Sequence, residues 1–326
     1  MSQPPAPSQP LDLIRADMAE VDRVIQHRLT TDVPLVREVA QYIISAGGKR
    51  LRPALLLLVS GALSSAHPHR HTLAAVVEFI HTATLLHDDV VDESTLRRGR
   101  ATANQTFGNA ASVLVGDFLY SRAFQMMVDV SDMRVMQVLS DATNVIAEGE
   151  VLQLMNMHDA SIDEEAYLRV IRSKTAKLFE ASARLAPILA GAPAEVENAC
   201  ASYGQALGTA FQVIDDVLDY EGDADELGKN LGDDLREGKV TLPIICALRT
   251  GDESQRALIR DAIEHGRIEN LGAIQAIIHG TGALAAARQA AEAEAQRAWN
   301  AAASLPANEH QAALLQLAAA LLERRS

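Results

Sequence analysis

Residues 85–93 read LLHDDVVDE and residues 211–220 read FQVIDDVLDY, so an Asp-Asp-x-x-Asp spacing occurs twice, each time among aliphatic residues. On an α-helix, residues four apart lie on one face, about one turn from each other. Asp88 and Asp92 therefore share a helix face, and the second segment repeats the arrangement. The aliphatic neighbours, which include Val91, indicate that both helices are mostly buried. This pattern predicts an all-α fold, a single large helical bundle with both acidic clusters pointing into one central cavity.

The second pair is Asp215 and Asp219. Like charges at this spacing repel each other by a few tenths of a kcal/mol, and a buried carboxylate needs a counter-charge. Oxygen ligands alone suit Mg²⁺, which supplies that charge most simply. The alternative is that each cluster is a solvated helix face in an acidic chain. Two copies in matching aliphatic surroundings favour the metal interpretation.

Composition limits the class of protein. The chain has 326 residues, of which 48% are hydrophobic and only 4% aromatic, which favours helices packed on helices. A formal net charge of −14 argues against nucleic acid as a partner, and it requires basic residues or metal ions around any anionic substrate. Cys200 and Cys246 are the only cysteines, which predicts free thiols in a reducing compartment.

The ends of the chain carry no targeting signal that we recognise. MSQPPAPSQP at residues 1–10 has no apolar core and no arginine, so it predicts a disordered, Pro-rich tail before one helical domain at 11–326. The longest apolar run, residues 54–63, is too short to span a bilayer. We therefore expect a cytoplasmic protein without a transmembrane segment. Apolar periodicity predicts helices at about 10–29, 71–93, 109–129, 131–157, 163–190 and 194–221, with four or five more after Pro243.

Two basic segments flank the first acidic helix. GGKRLRP at residues 47–53 places Lys49, Arg50 and Arg52 at a helix start, where the dipole disfavours cations unless an anion lies between them. Its alternative is ordinary capping of the preceding helix.

STLRRGRATAN at residues 94–104 follows the first acidic cluster directly and carries Arg97, Arg98 and Arg100 in a loop that Gly99 opens. Guanidinium groups beside acidic residues suit phosphate better than a surface ion-pair patch. Two basic segments indicate two phosphorylated substrates.

Further polar residues occur on the same helices. His81 shares the face of Asp88 two turns earlier, although a lone histidine there is more often a core residue. Lys174 lies in an apolar helix and could equally be solvated. The Asp- and Gly-rich segment 221–238 predicts a functional loop containing Lys229 and followed by Lys239.

These groups predict the chemistry. Mg²⁺, Arg and Lys in this number are what diphosphate binding demands. The surrounding Ala- and Leu-rich helices would form an apolar cavity, so the substrate has a diphosphate head and a hydrocarbon tail. Metal-bound diphosphate is a good leaving group, and ionisation of an allylic C–O bond is the natural reaction.

The two acidic clusters, GGKRLRP, DESTLRRGRATAN, SKTAKLF and GKNLGDDLREGKVTLP resemble the trans-polyprenyl diphosphate synthase family over nearly the whole chain. With IAEGEVLQL, the combination is most similar to the bacterial octaprenyl diphosphate synthases of that family. The resemblance implies a helical homodimer that condenses isopentenyl diphosphate head to tail onto an allylic diphosphate, with three Mg²⁺ ions per active site when substrate is bound. It also implies proton loss to pyrophosphate and a transient membrane contact for product release.

The resemblance assigns roles residue by residue. It implies that the metal ligands are Asp88, Asp92, Asp215 and Asp219. It implies that isopentenyl diphosphate is bound by Lys49, Arg52, His81 and Arg98. It implies that the allylic diphosphate is held by Arg97, Lys174, Thr175, Gln212 and Lys229. The implied catalytic residues are Asp88, Asp92, Asp215, Lys174 and Gln212.

Product length has a local determinant in this resemblance. Aromatic residues four and five positions before Asp88 close the tunnel in short-chain members, whereas this chain has Thr84 and Ala83. This predicts a long product of about eight isoprene units for a respiratory quinone, with the floor of the tunnel set by deeper residues such as Phe124, Met126 or Met127. Seven, nine or ten units remain open.

Three other functions are compatible with parts of the pattern. A terpene cyclase ionises the same kind of substrate, but it would replace the second acidic cluster and would not need GGKRLRP. A non-catalytic partner subunit would have lost acidic or basic residues, and none is missing. A structural helical protein with acidic faces bound to metal would not bind a bisphosphonate in a Mg²⁺-dependent way.

Overall fold

Helices form nearly all the regular structure in the computed structural model, which describes residues 10–221, 232–267 and 269–323. The first part of the chain comprises a 3₁₀ turn at Pro10–Ile14, α1 (Arg15–Arg28), α2 (Pro34–Ser45), α3 (Leu51–Ala62), α4 (Arg70–Val91), α5 (Ala103–Phe107), α6 (Asn109–Val130) and α7 (Met133–Asn156).

The second part comprises α8 (Glu164–Ile171), a π-helical turn (Arg172–Ala176), α9 (Lys177–Leu189), α10 (Ala194–Glu221), α11 (Asp233–Arg236), α12 (Leu242–Thr250), α13 (Glu253–His265), α14 (Leu271–Gly280), α15 (Ala283–Ala303) and α16 (Glu309–Ala320). The all-α prediction is confirmed. None of the helices in the described ranges is long and apolar enough to cross a membrane.

Three local features differ from the sequence-based expectations. The single helix expected at 163–190 is interrupted by the π-helical turn. In the segment expected to be a loop, the described part contains the short helix α11, while Lys229 lies outside the described residues. The basic loop after the first acidic cluster is a minimal β-hairpin of Leu96–Arg97 (β1) and Arg100–Ala101 (β2).

The hairpin turn explains why Gly99 follows two arginines. Arg98 and Gly99 both have positive φ, of 52° and 72°, as a two-residue turn of type I′ requires. Glycine adopts such a φ without cost, whereas Arg98 does so only because the fold requires it. The turn thereby presents Arg97 and Arg98 in different directions.

Helix α10 joins two hydrophobic cores. Its first half, including Tyr203 and Leu207, packs in a core with α3, α4, α6, α7, α9 and α16. Its second half, including Val213 and Val217, packs in a core with α8 and α12–α15. The second acidic cluster lies just after the point where α10 passes from one core to the other.

Candidate active site

One cavity of about 800 Å³ contains most of the residues that the sequence singled out. Both acidic clusters reach it, from the C-terminal end of α4 and from α10. Its other walls are the start of α3, the hairpin, the π-helical turn and residues 233–241. The predicted site residues that line it are Lys49, Arg52, His81, Thr84, Asp88, Asp92, Arg97, Arg98, Lys174, Thr175, Gln212 and Asp215. The expectation that both acidic clusters open onto one cavity therefore agrees with the geometry.

The first acidic cluster has two aspartates at the cavity and one behind it. Asp88 and Asp92 line the cavity, as the four-residue spacing requires. Asp89 is fully buried and accepts hydrogen bonds from Arg97, at 2.8 Å from Nε and 2.7 Å from Nη2. Burial raises the pKa of Asp89, although Arg97 opposes the shift. Asp89 thus fixes the orientation of the Arg97 guanidinium.

The last turn of α4 is more exposed than the rest of the helix. Most apolar residues of α4 are buried, as expected, but 61% of Val91 is exposed. The reason is that α4 ends at Val91, so its last turn projects beyond the helices that cover the rest of it.

The second acidic cluster is held by neutral side chains. Asp216 accepts hydrogen bonds from the Tyr167 hydroxyl at 2.6 Å and from Gln212 Nε2 at 2.7 Å. The Gln212 amide oxygen accepts in turn from the Thr175 hydroxyl at 3.0 Å. Burial, followed by the nearby charge of Asp234, raises the pKa of Asp216 to about 8. This chain of hydrogen bonds links α8, the π-helical turn and α10.

Asp219 differs from the other predicted metal ligands. It is fully buried and is not among the residues that line the cavity, whereas Asp215 and Asp216 are. The start of α11 covers it, and the Asp234 amide donates to Asp219 Oδ2 at 3.4 Å. Its role as a ligand stays a prediction.

Two lysines connect the first acidic cluster to neighbouring glutamates. Lys174 Nζ lies 2.5 Å from Glu150 Oε2 and 3.6 Å from Asp88 Oδ2. Lys239 lies 2.9 Å from Asp92 Oδ2 and contacts Glu237 as well. Burial raises the pKa values of both glutamates to about 7, and the nearby aspartates add to that rise.

Close backbone packing places Lys174. A Cβ atom on Gly149 of α7 would lie 2.8 Å from the Lys174 backbone nitrogen, and one on Gly208 of α10 would lie 2.7 Å from the Cα of Ala176. Only glycine permits these approaches. They bring α7 and α10 against the π-helical turn that carries Lys174 and Thr175; such turns frequently occur at functional sites.

Arg52 and His81 contact each other in the wall of the cavity. Arg52 Nη1 lies 3.2 Å from His81 Nε2, and its guanidinium carbon lies 4.4 Å from the centre of the Phe179 ring. Burial, followed by the charges of Arg52 and Arg98, lowers the pKa of His81 well below its ordinary value. His81 is therefore neutral at neutral pH. Burial also lowers the pKa of Arg52, to about 10, and Arg98 adds to the effect while Glu78 opposes it.

The two basic segments touch each other. A Cβ on Gly48, whose φ is +143°, would lie 2.6 to 2.7 Å from the Arg98 guanidinium. Arg98 therefore packs on the GGKRLRP backbone, whereas Arg97 turns to Asp89. The two segments thus combine on one side of the cavity. The different surroundings of Arg97 and Arg98 agree with the expectation that they bind different substrates, which stays a prediction.

The residues expected to control product length precede Asp88 on α4 or lie on α6. Thr84 lines the cavity, and its hydroxyl donates to the His81 carbonyl at 2.8 Å. Ala83 is fully buried, as is Met126, and Phe124 stacks on Tyr120 with ring centres 6.4 Å apart. These positions agree with an apolar region beneath the acidic cluster.

The oxygen ligands present fit Mg²⁺. Asp88, Asp92 and Asp215 supply carboxylates to one cavity from two sides. Within the described ranges, no three acidic, histidine or cysteine side chains lie close enough together to hold an ion. Mg²⁺ is usually bound by one or two carboxylates, with waters and substrate phosphates completing the octahedron, so this arrangement suits ions that a diphosphate shares.

Sequence reasoning missed three residues of the site. Glu150, Glu237 and Tyr167 line the cavity and contact predicted residues. Glu150 lies within the EGEVLQL motif, which gave a signal without a role. Glu237 likewise lies within the GKNLGDDLREGKVTLP motif, two residues before its partner Lys239, but that motif gave it no role. Tyr167 carried no signal, because its partner Asp216 is distant in the sequence.

Comparisons with known proteins agree with this geometry. A family model described as polyprenyl synthetase matches residues 33–280. The chain is 52% identical over 314 residues to octaprenyl diphosphate synthase of Escherichia coli (strain K12), covering 96% of this chain and 97% of that protein. It is 45% identical over 312 residues to the geranyl-diphosphate-specific all-trans-nonaprenyl-diphosphate synthase of Rhodobacter capsulatus, covering 95% and 96%.

Solved structures of related proteins are also similar to this chain, in sequence and in fold. A polyprenyl synthase from Caulobacter crescentus CB15, complexed with calcium and isoprenyl diphosphate, superposes with a TM-score of 0.95 at 43% identity over 100% of each chain. A decaprenyl diphosphate synthase from Rhodobacter capsulatus gives a TM-score of 0.92 at 46% identity over 97% of this chain and 98% of that one. Since the family model and these relatives span most of the sequence, the chain belongs to the polyprenyl synthetase family and is a prenyltransferase.

Proposed function

We propose that this prenyltransferase is a long-chain trans-polyprenyl diphosphate synthase, which condenses isopentenyl diphosphate successively onto farnesyl diphosphate to give octaprenyl diphosphate for a quinone side chain. The observation that carries the proposal is the single cavity of about 800 Å³ in which acidic residues from α4 and α10 face Lys174 and the basic segments. A diphosphate needs both kinds of group, because cations neutralise it and carboxylates hold the metal.

The allylic diphosphate would bind between the two acidic clusters. Mg²⁺ held by Asp88, Asp92 and Asp215 would stabilise the negative charge of the leaving diphosphate. Lys174 is placed to donate to that diphosphate, and Thr175 and Gln212 are linked by a hydrogen bond beside it. Arg97, oriented by Asp89, adds a fixed positive charge. Ionisation of the allylic C–O bond would then leave a cation above the apolar region near Thr84.

Isopentenyl diphosphate would bind at the Arg52 side. Arg52, Arg98 and Lys49 supply positive charge there, and neutral His81 can donate one hydrogen bond to a phosphate oxygen. Its double bond would attack the allylic cation, and loss of a proton would restore an allylic diphosphate one unit longer. Pyrophosphate is the base that we favour, as the resemblance to the family implies.

Product length is the finer part of the proposal. The relatives described above include octaprenyl, nonaprenyl and decaprenyl synthases. Eight units are favoured by the higher identity to the octaprenyl enzyme and by the small residues Ala83 and Thr84, which leave the region below Asp88 unobstructed. Seven, nine or ten units are the alternative outcomes.

A homodimer and a cytoplasmic location complete the proposal. Helices α6 and α7 carry several exposed apolar side chains, among them Leu114 and Met155, which suits burial against a second copy. Three bound Mg²⁺ ions and a transient membrane contact during product release belong to the same proposal.

Incubating the pure protein with Mg²⁺, farnesyl diphosphate and labelled isopentenyl diphosphate tests the function. We expect mainly octaprenyl diphosphate on chromatography. Asp88→Ala and Asp215→Ala should each lower turnover by roughly two orders of magnitude or more, because each removes metal-borne charge from the leaving group. Asp117→Ala is the control, because Asp117 is an exposed aspartate on α6. Full activity in both active-site variants would refute the metal role, and a cyclised product would indicate a terpene cyclase.

The Ala83→Phe variant tests the determinant of product length. A phenyl ring one turn below Asp88 should obstruct the hydrocarbon chain, so the main product should shorten by several isoprene units while the rate of the first condensation changes little. Sizing the products by chromatography measures this. Full-length product from Ala83→Phe would show that the chain extends elsewhere.

A further inference from the structure

Two of the lysines that line the cavity, Lys174 and Lys239, are each shared between an aspartate and a glutamate. Lys174 lies between Asp88 of the first acidic cluster, at 3.6 Å, and Glu150 of α7, at 2.5 Å. Lys239 lies between Asp92 of the same cluster, at 2.9 Å, and Glu237, at 2.5 Å. The same arrangement is thus built twice, from different segments of the chain.

The two glutamates are unfavourable for an anionic substrate. Glu150 and Glu237 both line the cavity, and more than two thirds of each side chain is buried. A carboxylate beside a diphosphate repels it, and the low local dielectric strengthens the repulsion. The ion pairs of Glu150 with Lys174 and of Glu237 with Lys239 offset this repulsion.

Each ammonium lies closer to its glutamate than to its aspartate, at 2.5 Å against 3.6 Å for Lys174 and at 2.5 Å against 2.9 Å for Lys239. The glutamate is therefore the nearest carboxylate that each lysine must leave when it donates to a diphosphate.

We propose that Glu150 and Glu237 hold the ammonium groups of Lys174 and Lys239 in the substrate-free enzyme and release them to the diphosphate as it binds. Each glutamate is a positioning residue that acts through its lysine. Diphosphate must break the Lys–Glu contact to gain the lysine, so each glutamate weakens diphosphate binding and favours release of pyrophosphate. The inference rests on the proposed function, because it assigns a diphosphate to this cavity.

Binding of inorganic pyrophosphate, measured by titration calorimetry at a fixed saturating Mg²⁺ concentration, tests the inference. We expect Glu150→Gln and Glu237→Gln each to lower the dissociation constant of pyrophosphate roughly three- to tenfold, since the lysine no longer has to leave the glutamate carboxylate. Glu180→Gln is the matched control. Glu180 pairs with Lys177 at 2.7 Å on α9, outside the cavity, and its loss should leave pyrophosphate binding unchanged.

The same glutamate changes in variants that lack the lysine distinguish the effect of the Lys–Glu contact from simple repulsion between glutamate and diphosphate. In Lys174→Met, the additional change Glu150→Gln should no longer tighten pyrophosphate binding, and Glu237→Gln should behave likewise in Lys239→Met. Equal tightening with and without the lysine would mean that the glutamates act only by repulsion, and weaker or unchanged binding in the single variants would mean that they act only structurally. Either result overturns the proposal.

The two pairs also make the test robust against misfolding. Thermal unfolding of each variant identifies one that does not fold, and the other pair then decides the question independently. A wild-type protein that binds pyrophosphate but makes no polyprenyl product would refute the proposed function while leaving the lysine exchange testable.

Discussion

Tyr167 supports the second acidic cluster through a single hydrogen bond, from its hydroxyl to Asp216 Oδ2 at 2.6 Å. Tyr167→Phe leaves a buried carboxylate with one fewer donor, at a cost of about 1–3 kcal/mol. Since Asp216 neighbours Asp215, we expect turnover to fall roughly tenfold or more and the Mg²⁺ concentration for half-maximal rate to rise. Product formation measured across a Mg²⁺ titration gives both quantities.

Tyr203→Phe is the control for that variant. Tyr203 is also a buried tyrosine, but its hydroxyl donates to the Leu314 carbonyl in the core. It should lower the melting temperature without changing the Mg²⁺ requirement. If Tyr167→Phe affects only stability, as Tyr203→Phe should, then Tyr167 is a structural residue.

At the residue scale, the sequence predicted what local spacing determines. Asp88 and Asp92 line the cavity because four residues make about one helical turn, and this needs no tertiary information. The same rule does not place Asp219, because its surroundings depend on α11 packing over the end of α10. Glu150 and Tyr167 could not be assigned roles, since Lys174 and Asp216 meet them only after folding.

At the scale of elements, the π-helical turn depends on glycines of neighbouring helices. Gly149→Ala would place a Cβ 2.8 Å from the Lys174 nitrogen and 2.8 Å from the Ser173 Cβ, so the turn must shift. We expect the free energy of unfolding to fall by about 1–3 kcal/mol. Turnover should fall further than stability alone explains, because Lys174 moves with the turn. Denaturant unfolding and the product assay measure the two effects.

Gly272→Ala provides the comparison. Gly272 lies in α14, and a Cβ there would meet no heavy atom within 4 Å. Alanine favours helix over glycine by up to about 1 kcal/mol, so this variant should be slightly more stable and fully active. A Gly149→Ala variant with the same properties would contradict the close packing described above.

The elements differ in how well their sequences predict them. The helix carrying the second acidic cluster was expected at about 194–221 and spans Ala194–Glu221, because its apolar residues face two cores. The π-helical turn was not expected, because RSKTA favours an ordinary helix and the close contacts of this segment with Gly149 and Gly208 form only on folding. The contacts of a neighbouring helix override local preference there.

At the scale of the whole molecule, three buried carboxyl groups make stability depend on pH. Burial raises the pKa of Asp216 to about 8 and those of Glu150 and Glu237 to about 7. Unfolded carboxyls titrate near pH 4. Between about pH 4 and pH 8 the folded, metal-free protein therefore binds protons that the unfolded chain has released. The stability from this source is fully present below about pH 4 and is lost as the pH rises through these raised pKa values.

The melting temperature in a metal chelator should accordingly fall as the pH rises from about 7 to about 8.5. Asp216→Asn removes the group with the highest of the three pKa values, so its melting temperature should fall less over the same interval. Scanning fluorimetry of both proteins across the pH range provides the measurement. Parallel curves for the wild type and Asp216→Asn would show that Asp216 titrates normally.

The whole fold was predictable because low aromatic content and helical periodicity both favour helices packed on helices. The assembly of the molecule was implied by resemblance alone and stays a proposal, which the exposed apolar residues of α6 and α7 allow to be tested. Leu114 is 66% exposed and Met155 is 75% exposed, although neither lines the cavity. Apolar burial is worth about 25 cal/mol per Å², so a second copy that covers these side chains would gain stability.

Changing both Leu114 and Met155 to Asp should therefore convert a dimer into a folded monomer, because two carboxylates would lose their water at the interface without gaining partners. Size-exclusion chromatography with light scattering gives the mass, and far-ultraviolet circular dichroism gives the helical content. Trp299→Asp is the control, since Trp299 is an exposed apolar residue of α15 and its change should leave the dimer intact. A double variant that remains dimeric would move the interface away from α6 and α7, and a wild-type monomer would remove it altogether.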